Sequence, residues 1–188
     1  MVSDEMSMPE SKTLTLEEIN QVIQTARRQG EIPDLRRLDL EKSNLSGANL
    51  SRVNLSYAKL GRATLWGTNL EKSNLTGVDL RKADLKGANL RNANLLGANL
   101  ARAKLAGADL LEASLRNANL SDADLRGASL TESTMRGAGL VVANLHRADL
   151  EGANLIRADL RGAQVTDEQL SQAKSLKGAV MPDGSIHP

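Results

Sequence analysis

Residues 83–107 read ADLKG ANLRN ANLLG ANLAR AKLAG. A leucine falls on every fifth residue, at Leu85, Leu90, Leu95, Leu100 and Leu105. An alanine stands two residues before each of them. The register holds without a slip from Leu35 to Val165, giving 27 centres, of which 25 are Leu and the others Met135 and Val165. Ala lies two before the centre in 19 of the 27, and Asn or Asp lies directly before it in 19, so the unit is A-(N/D)-L-x-x. Residues 33–167 form one such array.

A period of five decides against both regular backbones. On an α-helix five residues turn through about 500°, so each Leu lands about 140° from the last and no face can be buried. On a straight strand side chains alternate, and an odd period sends successive Leu to opposite faces. The pattern is met if the chain bends at every repeat, with the Ala and the Leu inward and the other three residues outward. A chain that bends alike every five residues coils, and stacked coils bury a Leu column at about 4.8 Å per layer. Gly47, Gly67, Gly87, Gly107 and Gly127 recur at every fourth repeat, with Gly77, Gly97 and Gly137 as a second set, which suits four repeats per coil. The 27 repeats then make about 6.75 coils.

This array resembles the pentapeptide repeat family of bacterial proteins, cyanobacterial regulators among them. The resemblance covers residues 33–167. It implies an all-β solenoid, a right-handed quadrilateral β-helix with four repeats per coil. Many members place Phe at some centres; this chain has no Phe.

Both ends carry non-repeat segments suited to covering the open coils. Residues 16–29 predict a capping helix: Thr15 and Glu18 form a capping box, and Leu14 and Ile19 a hydrophobic staple. Leu16, Ile19, Val22, Ile23 and Ala26 make its apolar face, expected to lie against the first coil near Ile32, Leu35 and Leu38. Thr166 with Gln169 opens a second short helix, about Asp167 to Ala173, and the sequence after it echoes the repeat one residue out of phase. Pro182-Asp183-Gly184 is a turn signal. The expected division is a flexible N-terminus at 1–12, a capping helix segment at 13–32, the repeat array at 33–167 and a C-terminal helical lid and tail at 168–188.

Composition narrows the chemistry. The chain has 188 residues, 24 Lys+Arg against 23 Asp+Glu, and a net charge of +1. It has no Cys, two His, one Tyr and one Trp. Disulfides and thiol chemistry are excluded, and two His are too few for a His-based metal site. No apolar run approaches the ~20 residues that span a bilayer, and residues 1–12 carry no apolar signal segment. The expectation is a cytoplasmic, non-enzymatic protein with no cofactor and no metal. His146 reads as a solvated surface residue and His187 as part of a loose terminus. The recurring Asp79, Asp84, Asp109, Asp124, Asp149 and Asp159 read as partners of nearby backbone groups beside a bend, not as a cation site.

The surface carries the functional expectation. Two after the centre, one column reads Lys42, Arg62, Lys82 and Arg102 before it turns to Asp122. Residues 34–107 hold 13 basic and 6 acidic residues, a net +7, whereas residues 108–167 hold 6 and 9, a net −3. Trp66 follows a centre, so it faces outward, with Lys86 one coil above. Tyr57 falls on the opposite side. The expected partner-binding surface is therefore Lys42, Arg62, Trp66, Lys82, Lys86 and Arg102, serving a protein–protein interaction scaffold with an unidentified protein partner and no membrane. A gyrase- or topoisomerase-directed DNA mimic is the alternative, disfavoured because residues 34–167 sum to +4. Weak nucleic-acid binding is a third reading, disfavoured by the lack of an aromatic stacking platform. A homodimer through the C-terminal end is a further partner expectation, and in some family members that end mediates dimers.

Overall fold

The computed structural model of the chain describes residues 14–188. The expected flexible segment 1–12 lies outside the described residues, as does residue 13.

Each repeat bends through a β-turn. In every repeat before Val165 the two residues after the centre form the turn, and in all of these but those of Leu35 and Leu50 the amide three residues on closes it, as in Ala88 N to Leu85 O at 3.0 Å. The second turn residue has φ between 55° and 68° throughout the array, which is the demand of a type II turn at its third position. Glycine meets that demand freely; Arg37, Lys42, Arg62 and thirteen other residues meet it at a steric cost.

The turns stack with a fixed offset. The residue before each centre pairs in parallel with its counterpart four repeats later, as in Asn44 with Thr64 and Thr64 with Asp84, so four repeats complete one circuit. Leu85 N donates to Lys104 O at 2.7 Å and Asp84 N to Ala63 O at 2.9 Å, tying each layer to those above and below. The Leu centres are at most 1% exposed, and the alanines two before them are buried alongside.

The expectation of an all-β solenoid, a right-handed quadrilateral β-helix, is overturned. Among the described residues there is no β-strand and no sheet; the only regular elements are two α-helices, and every pairing is an isolated one-residue bridge. The reason lies in the repeat length. Two of each five residues are spent on a turn, so no extended run is long enough to form a strand. The molecule is a succession of turns around a Leu–Ala interior, closed by short helices.

Helix α1, Leu16–Arg28, has the expected capping box: Thr15 Oγ1 accepts from Glu18 N, and Glu18 Oε2 accepts from Thr15 N. Gly30, with φ 73°, ends it in a Schellman motif, Glu31 N donating to Ala26 O and Gly30 N to Arg27 O. Ile19 and Ile23 are buried in the common core, but Leu16 and Val22 remain 36% and 41% exposed and Ile32 73% exposed. The covering seam is thus one residue wide at i and i+4, narrower than the expected apolar face.

Arg27 explains how α1 meets the stack. Its Nη2 donates to Asn49 O at 3.4 Å and Ser51 O at 3.0 Å. In later layers the equivalent carbonyls, Asn69 O and Glu71 O, accept amides from the layer before. The guanidinium replaces the amides of an absent layer.

Helix α2, Asp167–Ser171, ends two residues earlier than expected and has its own capping box on Thr166 and Gln169. It substitutes for one turn with one residue to spare, so the pairing resumes with a register one residue longer, Asn154 with Ser175 and Asp159 with Val180. Gln169 Nε2 donates to Leu145 O and Ala148 O at 2.8 and 2.7 Å, the counterpart of Arg27 at the other end. The chain then doubles back, Val180 pairing antiparallel with Ile186. Met181 N donates to Ser185 O and Gly178 N to His187 O, so the segment around His187 is paired and not loose.

Candidate partner-binding face

One side of the stack carries the bridge ladder Asn44, Thr64, Asp84, Lys104, Asp124, Asn144, here the Thr64 side. The turn before it holds Lys42, Arg62, Lys82 and Arg102, each two residues ahead of a ladder residue. The turn after it holds Trp66 and Lys86, each two residues beyond. All six sequence-predicted residues therefore border the same side, four along one edge and two along the other. The sequence reading treated them as two separate columns; the missed signal was that the chain crosses this one side between them.

The edges differ in how their charges are used. Lys42, Arg62 and Lys82 make no ion pair among the described residues. Arg102 is drawn toward Asp122 at 3.4 Å, where the column changes sign. Lys86 lies 3.9 Å from Asp84, which also faces Lys104 at 3.8 Å. Trp66 is 63% exposed and stands beside Gly67, where an added Cβ would meet nothing within 4 Å. Gly47, Gly87, Gly107 and Gly127 are equally bare, so this edge offers the indole a flat surround. Tyr57 is on another side, its ring lying against Gly77, and does not join the patch.

The recurring carboxylates have local employment. The Oδ1 of Asp79, Asp84, Asp109, Asp124, Asp149 and Asp159 each accepts from the amide two residues on, at 3.0–3.3 Å. Asp79, Asp124 and Asp159 are in addition clasped by the guanidinium two residues later, as in Arg81 Nη2 to Asp79 Oδ2 at 2.6 Å. That hydrogen bond holds each carboxyl below its ordinary range. Among the described residues no group of acidic and imidazole side chains could hold a metal ion, and no helix is long and apolar enough to cross a membrane. His146 is exposed, as expected.

The fold and this face can be set beside known proteins. A comparison with curated proteins returns no match. Among solved structures, HetL, a pentapeptide repeat protein involved in heterocyst differentiation regulation from the cyanobacterium Nostoc sp. strain PCC 7120, is 31% identical. The match covers 93% of this chain and 100% of that one, with a TM-score of 0.50. A pentapeptide repeat protein from the cyanobacterium Cyanothece 51142 is 26% identical over 72% of this chain and 94% of its own, with a TM-score of 0.36. Another, from the Arabidopsis thaliana thylakoid lumen, is 26% identical over 79% and 83%, with a TM-score of 0.26. Proteins built on these repeats are generally non-catalytic scaffolds or regulators. Pentapeptide repeats match in eight copies over residues 34–65, 58–97, 98–137 and 140–174, and with that coverage the chain belongs to the pentapeptide repeat family.

Proposed function

We propose that the protein is a regulatory interaction scaffold that binds an acidic surface of a protein partner along its Thr64 side. The observation that carries the reading is the run of three unpaired cations, Lys42, Arg62 and Lys82, facing an exposed Trp66 across one side. Free cations in a row attract an anionic surface at long range, and an exposed indole supplies the desolvated anchor that charge alone lacks. The likeness to HetL, involved in heterocyst differentiation regulation, supports a regulatory role. A DNA mimic would need a negative face, and this side has the opposite sign over residues 41–107. Nucleic-acid binding has cations in its favour but a single aromatic residue on this side.

The test is a charge reversal with a matched control. Partners are captured by cross-linking with the wild type, with Arg62→Glu/Lys82→Glu and with Arg147→Glu/Lys174→Glu. The reading expects the first pair to lose the captured protein and the second to keep it, with unchanged melting in both. Added salt should release the wild-type complex. Equal capture by all three, or capture of nucleic acid in place of protein, contradicts it.

A further inference from the structure

A different side of the stack, in the other half of the molecule, is electrically divided. Its ladder runs Asn94, Ser114, Thr134, Asn154. In two successive layers the side reads Glu112-Ala113-Ser114-Leu115-Arg116 and Glu132-Ser133-Thr134-Met135-Arg136. Residues 113, 115, 133 and 135 point into the core, so each layer presents an acid, a hydroxyl and a base in that order. Glu112, Glu132, Arg116 and Arg136 are all exposed, and none makes an ion pair among the described residues. The acid and the base of one layer are four residues apart, at most roughly 13 Å, and across that side they make no ion pair with each other. Where an Asp stands two residues before an Arg in the same layer the two are paired, as in Asp34–Arg36, Asp79–Arg81, Asp124–Arg126 and Asp159–Arg161.

We propose that this Ser114 side docks against the same side of a second copy of the chain, the two stacks lying parallel about a two-fold axis that runs along them. The symmetry selects this arrangement. A two-fold axis along the stack exchanges left and right but preserves height. The acidic edge of one copy then faces the basic edge of the other, at the same layer, on both edges at once. A two-fold axis across the stack would set acid on acid and base on base. The layer spacing, about 4.8 Å, is identical in both copies by construction, so Arg116 meets Glu112 of the other copy, Arg136 meets Glu132, and each contact occurs twice. No partner of another architecture has that pitch guaranteed. The hydroxyls of Ser114 and Thr134 and the neighbouring Leu96, 38% exposed, fill the middle and the flank of the contact.

The charged part is two layers tall, roughly 10 Å, which is small beside an ordinary interface. The association is therefore weak and strongly salt-dependent, and it is sought at high protein concentration. The experiment is sedimentation equilibrium of the full chain in about 10 mM and about 0.5 M salt, where screening lengths differ several-fold. The wild type is expected to dimerise in low salt and to weaken at least tenfold in high salt. Glu112→Arg/Glu132→Arg and Arg116→Glu/Arg136→Glu are each expected to be monomeric alone, with unchanged melting, because like charges then face across the contact. Mixed one to one, the two variants are expected to form a heterodimer, since an all-basic side then meets an all-acidic one. A wild type that stays monomeric in low salt overturns the proposal. So does a pair of variants that self-associate as the wild type does, or a mixture that stays monomeric. None of these outcomes depends on the Thr64 side.

Discussion

Within each five-residue unit the interior position and the second turn position sit two residues apart and obey opposite constraints. At the centre, Leu stands in all but two repeats, those of Met135 and Val165. At the second turn position the chain accepts Gly, Arg, Lys, Asn, Glu, Asp, Tyr and Val, all at nearly the same φ. The backbone is uniform at both places; only the tolerance differs. The interior offers one volume, repeated, and any other shape leaves a void or a clash. The corner projects into solvent and asks only for a left-handed backbone. Fold is therefore specified by the inward residues, and the identities at the corners are free to encode what the surface binds.

The contrast can be broken from the inside. Leu100→Asp places a carboxylate among fully buried Leu centres with no partner in reach. The lost burial alone costs about 2–5 kcal/mol, and the buried acid adds to it. Urea denaturation should find the variant unfolded, or its middle coils open to protease. A corner change such as Arg62→Asp, at a corner that makes no ion pair among the described residues, should leave the stability within about 0.5 kcal/mol of the wild type.

The corners themselves are unequal, which sharpens the comparison. Gly87→Ala meets nothing within 4 Å, so its cost is the positive φ alone, about 1–2 kcal/mol. Gly77→Ala carries the same backbone cost, and its Cβ would fall 2.6 Å from Tyr57 Cε1. The ring must swing away and forfeit its packing, for about 1 kcal/mol more. Equal melting of the two variants would show that the Tyr57 ring does not rest there.

A smaller effect of opposite sign comes from the interior. Ser73 Oγ donates to Leu70 O at 2.6 Å, whereas the Ser133 hydroxyl is buried with no partner. Ser133→Ala should stabilise by about 1 kcal/mol, and Ser73→Ala should not. Destabilisation by Ser133→Ala would mean the hydroxyl is satisfied after all.

The smallest effect is a pH dependence at the surface. Asp34, Asp79, Asp124 and Asp159 are held below the ordinary carboxylate range by the arginine two residues on. A depressed folded pKa contributes stability that is fully present above the unfolded value of about 4 and is lost as pH falls through the folded value. Melting temperature should be flat from neutral pH down to about 5 and decline below about 4. Replacing Arg81, Arg126 and Arg161 by Gln should flatten that acid limb. An unchanged limb would place the acid sensitivity elsewhere.

Much of this was legible in the sequence for a physical reason. A strict period leaves few backbones, and the recurrence of glycine at every fourth repeat anticipated the offset of the bridges. The two capping boxes were readable because they are local. The name of the backbone state was not. The family resemblance implied a β-helix, but the period itself does not say whether three extended residues between turns make a ladder or a single bridge. The roles of Arg27 and Gln169 were also hidden, since each reaches a carbonyl of a different coil, Ser51 O and Leu145 O, far from it along the chain. The six candidate surface residues were found as columns, and the structure added that they border one side.

Trp66 is the single tryptophan of the chain and stands on that side, so it reports on the central functional reading without ambiguity. Incorporating 5-fluorotryptophan gives one 19F resonance from this protein. Titration with the partner captured by the wild type should shift or broaden that resonance, and added salt should restore it. A resonance that stays in place while the complex forms would contradict binding through the Thr64 side.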